Sequence, residues 1–483
     1  MKNESSREKL RRFFQKNTSQ SFYLRQIAQK LKVDPGNASR ILNSLVDKGY
    51  LTKLKKGNMV YFSSSKRKAE VEDEDLGKRV NKWLKDHKKD YVKLVQTLIQ
   101  TSSVSGEDPE DRIAEHIYYK VVEMGLKVEV VFKDKRRPNM VIQLEEQQNK
   151  KMNNFLLLGH LDTVGVSDLE DWRYYPFSGH KSGGRVYGRG AIDMKAGIVC
   201  ELFTLKLIQD LGINLPVNPR ILLVSNEEGG STASPIFDVG MEFLIEEGLV
   251  EGVGAIYGYG GSYNVGIGHR GVLRIRIVVN GEAFHTGSVK WQEQSKGVNA
   301  VTAMAEILLK LENMKLPRTK HSGFPKHSNI ITPGTMILHG GTAVSMVPEK
   351  CESVVEVRYL PGLKIRKVYS AIKEIVEKIA KKRGVRVDLR KFVDIPAVCL
   401  SPQDEVVKLV KDSVDNVYKQ PVSVRGCGPA NESFMLIQKG IPTVIFGPIG
   451  AHAHADNEFV DIKSLAKTVK VYLNVLQNAE CLC

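Results

Sequence analysis

This chain has no long apolar run. Stretches such as Phe155–Leu158 and Thr443–Phe446 fall far short of the roughly 20 residues that a membrane-spanning helix needs, so no membrane span is expected. The first residues, MKNESSREKLRRFFQKN, lack the apolar core of a secretory leader, and a cytoplasmic location is expected. Cysteine is sparse. Cys200, Cys351, Cys399, Cys427, Cys481 and Cys483 form no CxxC pair, which argues against a zinc ribbon or a disulfide framework and for ordinary reduced thiols. The chain is 42% hydrophobic and 26% charged, an ordinary soluble mix that excludes a largely disordered protein. Its 483 residues suggest two to four domains at roughly 100–200 residues each.

Charge is spread unevenly. Residues 1–65 carry nine Lys and five Arg against two Glu and two Asp, so they hold +10 of the total +16. Within this basic head three amphipathic helices follow in order: Leu10, Phe13 and Phe14; then Leu24, Ile27, Ala28 and Leu31; then Ala38, Ile41, Leu42, Leu45 and Val46. Ser21 is placed to cap the second helix. Asp34 followed by Pro35 starts the third, with a side-chain cap and then a residue lacking an amide hydrogen; Gly49 ends it. Tyr50–Leu54 and Met59–Phe62 read as a β-hairpin with a basic turn.

Three helices and a hairpin resemble a winged helix-turn-helix domain, carried by the stretch LRQIAQKLKVDPGNASRILNSLVDKGYL. The resemblance implies a recognition helix offering Asn37, Ser39, Arg40 and Asn43 to base edges in the DNA major groove. Lys53, Lys55 and Lys56 in the wing would contact phosphates, making binding salt-dependent. A protein-contact role for such a domain stands beside the DNA reading. Residues 66–82 are mostly charged and read as a linker or a solvated helix start.

In the body, buried-strand patterns run into polar clusters. NFLLLG (154–159) ends at His160-Leu161-Asp162, RILLVS (220–225) at Asn226-Glu227-Glu228, and TVIF (443–446) is followed closely by His452 and His454. Asp193 stands before an apolar helix in GRGAIDMKAG (188–197). Sites assemble at the carboxyl ends of strands in open α/β sheets. A neutral imidazole such as His160 suits zinc, and carboxylates complete such sites. Asp162 could accept from the other imidazole nitrogen and fix its tautomer. Paired Glu227 and Glu228 let one carboxylate bind metal while the other handles protons.

Together LLLGHLDTVGV, WRYYPFSGHKSGGRVYGRGAIDMKAG, LLVSNEEGG, GEAFHTGS and GIPTVIFGPIGAHAHADNEFV resemble the M20 metallopeptidase family of deacylases and peptidases, over roughly residues 83–483. The resemblance implies an α/β fold, with a zinc-peptidase-like catalytic domain in two parts (83–269 and 391–483). A ferredoxin-like α+β lid or dimerisation domain is inserted between them (270–390), and the winged-helix domain precedes all of it. The βαββαβ rhythm of the inserted segment fits that order. By resemblance, His160 binds one metal, Asp193 bridges two, and Glu228 with His454 bind the other; His452 is a bystander. Glu227 is the general base and Asp162 the partner of His160. His285 reaches across a homodimer to the substrate carbonyl as part of an oxyanion hole. Arg358 and Asn329 hold a substrate carboxylate. The cofactor expected is one or two Zn2+ per subunit, with Co2+ or Mn2+ as substitutes.

One position departs from the family's pattern. Where a further carboxylate ligand is expected, the alignment through GIGHRG places Tyr259, and a phenol titrates near pH 10. Either Tyr259 binds as a phenolate, or a carboxylate elsewhere substitutes, or a single well-held metal suffices. The expected function is a metal-dependent amidohydrolase acting on an N-acyl amino acid or small peptide. The alternative is a DNA-binding transcriptional regulator whose degenerate M20-like body senses a metabolite.

Overall fold

The computed structural model describes residues 6–17, 22–47, 51–56, 59–145, 152–229 and 238–482. The chain divides into two units, Met1–His87 and Lys88–Cys483. Among the described residues no helix is long and apolar enough to cross a membrane.

In the first unit, helices Ser6–Lys16, Leu24–Leu31 and Pro35–Asp47 pack on an antiparallel sheet of Phe22–Tyr23, Met59–Ser64 and Leu51–Lys56, in that spatial order. The apolar stripes read from the sequence meet in one core of Leu10, Phe14, Phe22, Ile27, Leu42, Leu45, Leu51 and Phe62. Asp34 caps the third helix, its Oδ1 accepting from the Asn37 amide at 2.8 Å. The second helix starts at Leu24, where Gln26 Oε1 reaches back to the Tyr23 amide at 3.2 Å. The expected caps Ser21 and Gly49, and the wing turn at residues 57–58, lie outside the described residues. Residues 66–82, read as a linker, are helical within Ser65–Asp86. Their Lys, Arg, Glu and Ala content is that of good helix formers.

The second unit is built on a nine-stranded mixed sheet. Its path runs Val398–Cys399, Asn264–His269, Thr443–Ile445, Gly254–Tyr257, Asn154–His160, Asn218–Val224, Arg137–Gln143, Lys127–Asp134, and Ser423–Cys427 pairs with Asn264–His269 off that path. The four central strands, 443–445 to 218–224, are mutually parallel. Their near-continuous apolar sequences reflect burial on both faces: Phe155–Leu158 and Ile221–Val224 are fully buried. Helix Ala196–Leu211 is apolar almost all round and buried at twelve of its sixteen residues, as expected of a helix enclosed by others. It ends at Gly212, whose φ of +60° closes the last turn in the left-handed region. Helix Ile462–Gln477 packs beside it.

A second, four-stranded antiparallel sheet has the order Ile330–Gly340, Lys350–Tyr359, Gly271–Asn280, Arg386–Ile395. Helices Ala300–Glu312 and Ile365–Arg383 cover one face around Ile275, Ile277, Ile307, Val355 and Ile372. A small four-stranded sheet joins Gly450–Ala451, Phe459–Asp461, Arg185–Tyr187 and His180–Ser182. Its pairing of 459–461 with 185–187 draws the loop after residue 451 against the loop before helix Ala196–Leu211.

Candidate metal centre

Each polar cluster singled out in the body stands just past the end of a strand, so the sheet gathers them. His160 closes strand Asn154–His160, Glu227 and Glu228 follow strand Asn218–Val224, and His454 lies beyond strand Thr443–Ile445. Asp193 sits in the tight turn Ala191–Lys195. That turn needs Gly190 at φ +81°, where an added Cβ would stand 2.7 Å from the Thr163 methyl.

The four groups converge. His160 Nε2 lies 3.0 Å from Asp193 Oδ1, and His454 Nε2 lies 2.9 Å from Asp193 Oδ2 and 2.7 Å from Glu228 Oε1. Asp193 thus turns one oxygen to each histidine, as a bridging carboxylate does. Ligand atoms of His160, Asp193 and Glu228 lie within 4.8 Å of one another. One imidazole and two carboxylates, with a second imidazole in contact, make a donor set that suits zinc and related divalent ions. His160 is buried, whereas the His454 side chain is 48% exposed, so His454 marks the open side.

The charges show what the cluster calls for. Burial raises the Glu227 and Glu228 carboxyls, reinforced for Glu227 by Glu228 and for Glu228 by Asp193. Burial opposes the charged form of His454, yet hydrogen bonds to Asp193 and Glu228 outweigh it and hold the imidazole up to about 11. Closely held anions favour a cation among them. Tyr259 is pushed well above the ordinary phenol value by burial and by Asp193, so the hydroxyl stays neutral at physiological pH. Two further buried carboxyls stand behind the cluster. Glu432 is raised to about 8 by burial, against the pull of His160. Glu110 is raised to about 7 by burial and by Asp162.

Asp162 touches both His160 and the glutamate loop. His160 Nδ1 donates to the Asp162 backbone carbonyl at 2.9 Å, and the nearer carboxylate oxygen is 3.5 Å away. The carboxylate is taken up by two backbone amides: Oδ1 accepts from Glu227 at 3.1 Å and Oδ2 from Glu228 at 2.8 Å. Asp162 therefore anchors the glutamate loop and holds the imidazole through both its main chain and its carboxylate. Glu458 does the equivalent for Asp193. Fully buried, it accepts from Arg189 Nη1 at 2.7 Å and from the amides of Gly190, Ile192 and Asp193 at 3.0, 2.9 and 3.1 Å. Lys195, buried and lowered to about 7 by its burial, donates to the Thr101 carbonyl at 2.8 Å.

A cavity of about 520 Å3 opens over the cluster. Glu227, Glu228 and His454 line one wall; Arg270, Arg274, Glu356 and Arg358 line the other. Glu356 lies directly across the sheet from Arg274 and accepts from it at 2.8 Å and from Arg358 Nε at 2.7 Å.

Other anticipated residues stand elsewhere. Asn329 does not line this cavity. Its amide donates to Pro317 O and Thr319 Oγ1 and accepts from the Leu360 amide, which makes it a tie between loops. His285 is exposed, is absent from the cavity wall, and accepts from the Gly287 amide. In the first unit, Arg40 donates to Asn37 Oδ1 at 3.3 Å, Asn43 Nδ2 to Ser39 O at 3.0 Å, and Lys53 Nζ to Asn43 Oδ1 at 2.9 Å, while Lys55 is exposed. Lys56 belongs to strand Leu51–Lys56. Sequence reasoning missed Glu458, Arg189, Arg270, Arg274, Glu356 and Glu432. Only Glu458 carried a signal, four residues after His454 in AHADNEFV.

The family model described as Peptidase family M20/M25/M40 matches residues 156–478. The chain is 25% identical over 422 residues to the N-formyl-4-amino-5-aminomethyl-2-methylpyrimidine deformylase of Bacillus subtilis, covering 82% of this chain and 96% of the relative. Among solved structures it is similar to the M20 family metallo-carboxypeptidase Sso-CP2 from Sulfolobus solfataricus, with a TM-score of 0.66 at 20% identity, covering 81% of this chain and 99% of that one. It is also similar to a dinuclear metal binding peptidase of the M20 family from Bacillus subtilis, with a TM-score of 0.59 at 16% identity, covering 83% and 100%.

Proposed function

The chain belongs to peptidase family M20/M25/M40 and is a hydrolase, and on that premise we propose that it cleaves the amide bond of an N-acyl amino acid or small peptide with metal-activated water. The observation that carries this reading is the convergence of His160, Asp193, Glu228 and His454 beneath a cavity that also holds Glu227. His160, Asp193, Glu228 and His454 would hold Zn2+, Co2+ or Mn2+. When bound, the metal lowers the pKa of water and polarises the amide carbonyl.

Glu227 takes the proton from the attacking water. Its raised affinity for protons suits a base that must later give that proton to the leaving amine. Asp162 fixes where Glu227 stands, through its hold on the Glu227 and Glu228 amides. Arg358, oriented by Glu356, holds a substrate carboxylate in the fork geometry of guanidinium. With a phenol at Tyr259 in place of a carboxylate, the Glu228–His454 side would hold its ion more firmly than the His160 side.

Elemental analysis after zinc loading, together with a screen of N-acyl amino acids, tests the reading. Between one and two zinc per chain, with turnover reduced about 10²–10⁴-fold by Glu227→Gln and zinc retained, is expected. No zinc at all overturns it.

Residues 270–390 form the lid and homodimerisation layer of this reading. Edge strand Ile330–Gly340 presents exposed Ile330 and Ile337, which suit pairing with a second copy. His285, exposed in its own chain, then reaches the partner's substrate carbonyl as an oxyanion donor. Residues 1–65 form a winged helix that binds DNA through Asn37, Ser39, Arg40, Asn43, Lys53, Lys55 and Lys56; the +10 charge of this segment supports it. The five described cysteines are unpaired, which suits the cytoplasm. The metabolite-sensor alternative is not favoured, because base and ligands stand together.

A further inference from the structure

A groove of about 870 Å3 runs between helices Ala300–Glu312 and Ile365–Arg383, and it shares no lining residue with the cavity over the metal cluster. Each helix already buries one stripe on the sheet beneath: Ala303, Met304, Ile307 and Leu311 on the first, Val368, Ile372 and Val376 on the second. A second stripe on each lines the groove, from Thr302 to Lys310 and from Ile375 to Arg383. Both follow the spacing i, i+3, i+4, i+7, i+8 of a single helical face, about 12 Å long. The floor is apolar. Ala305 and Leu309 line it from one helix, Ile375 and Ile379 from the other, and Leu309 is 62% exposed. A lone exposed leucine is ordinary. One standing between two apolar helix stripes is an anchor point for a third element.

Around the floor the charge is nearly of one sign. Lys310, Lys378, Lys382 and Arg383 line the groove against Glu306 alone. Glu306 is already engaged, accepting from Lys382 at 2.7 Å and from Arg383. Among the described residues Lys310 and Lys378 have no ion-pair partner. This pattern separates three occupants. A second copy seated groove to groove would be self-opposed by symmetry, with four cations facing four. An acyl chain would fill the floor but bring one carboxylate to four dispersed cations. A helix with an apolar stripe and acidic flanks fills the floor and brings several carboxylates along the rim.

We infer that this groove docks an acidic amphipathic helix of another protein, with Leu309 as the apolar anchor and Lys310, Lys378, Lys382 and Arg383 meeting its carboxylates. Side chains alternate across the sheet beneath. Ile275, Ile277, Val355 and Val357 face the two helices, whereas Arg274, Glu356 and Arg358 face the cavity beside the metal cluster. Groove and site therefore lie on opposite faces of one sheet, and a docked helix leaves the site open. Docking places the protein beside its partner without blocking it, whatever the substrate is.

The probe is a labelled peptide of about 14 residues, roughly four helical turns, with leucines at i, i+3, i+4 and i+7 and glutamates elsewhere. Its twin carries lysine for glutamate. Fluorescence anisotropy on the full chain reads both, and circular dichroism establishes that each variant is folded. The acidic peptide should bind at least about tenfold tighter than its twin, and Leu309→Glu should weaken it by at least about tenfold. Lys310→Glu combined with Lys378→Glu should invert the preference, so that the basic twin binds better. Acidic binding that persists in both variants would belong to the basic head and overturn the inference. Twins within about twofold of one another would do the same. So would a lower mass of Leu309→Glu by light scattering, which would make the groove a contact between copies. An acidic peptide that does not bind would also overturn it; dodecanoate released by Leu309→Glu would then assign the groove to an acyl chain.

Discussion

Replacing Asp162 by Asn tests whether a carboxylate that is not a ligand governs metal affinity. The Asp162 side chain accepts from the Glu227 amide at 3.1 Å and from the Glu228 amide at 2.8 Å. The backbone tie from Asp162 to His160 survives the substitution, while the longer 3.5 Å contact of its carboxylate with His160 is weakened together with the hold on the glutamate loop. Asn keeps one acceptor oxygen and turns an NH2 group toward the second amide. A hydrogen bond to a charged group contributes about 1.5–3 kcal/mol, and one such bond is lost. Expressed in binding, that loss weakens zinc by roughly 10–150-fold, in line with the roughly 10–100-fold typical of groups that orient metal ligands. Competition against a chelating dye measures the zinc Kd directly. Far-UV circular dichroism establishes that the variant is folded. A folded variant binding zinc within about twofold of the parent would refute the claim that Asp162 sets the position of Glu228.

His285→Ala should lower kcat about 10²–10³-fold, the usual cost of an oxyanion donor. Mixing it with Glu227→Gln should restore part of the activity if the histidine serves the partner's site, and no restoration counts against a shared site. Glu432 and Glu110 are raised to about 8 and about 7 by burial, so the folded chain holds more protons than the unfolded one between roughly pH 4.5 and 8. Their contribution is present at low pH and is lost as pH rises through the folded values. Glu432→Gln should therefore raise the urea midpoint more at pH 9 than at pH 5, and an equal shift at both would contradict this. Lys55→Ala should reduce the slope of log K against log salt for duplex DNA by about 0.9, measured by fluorescence anisotropy on the full chain.

His160, Glu227 and Glu228 could be singled out in the sequence because each follows a strand whose apolar run is itself legible: four buried residues precede Gly159-His160, and four precede Ser225-Asn226. The βαββαβ order of the second layer was readable for the same reason, since its strands and helices keep clean periods. What escaped was the scaffolding. Glu458 is bound by the amides of Gly190, Ile192 and Asp193 and by a buried guanidinium, and nothing in sequence reveals which amides lack partners. Spacing placed Asp162 beside His160, but not that the glutamate loop arrives from another strand and shares its oxygens. Asn329 matched a motif, yet Pro317, Thr319 and Leu360 use its amide. Arg270, Arg274 and Glu356 become a group only through the register that sets Arg274 opposite Glu356. Pairing across a sheet is a long-range fact that local pattern does not carry.

The order of strands also bears on how the chain is made. Strand Thr443–Ile445 lies inside the large sheet, between Gly254–Tyr257 and Asn264–His269, although it is among the last strands to leave the ribosome. Until it arrives, Gly254–Tyr257 offers a bare apolar edge, and the whole 271–395 layer is synthesised in the interval. Unpaired edges of this kind invite association with other chains. A nascent chain stalled before residue 443 would be sticky, lacking both the strand that fills the gap in the sheet and the proposed ligand His454.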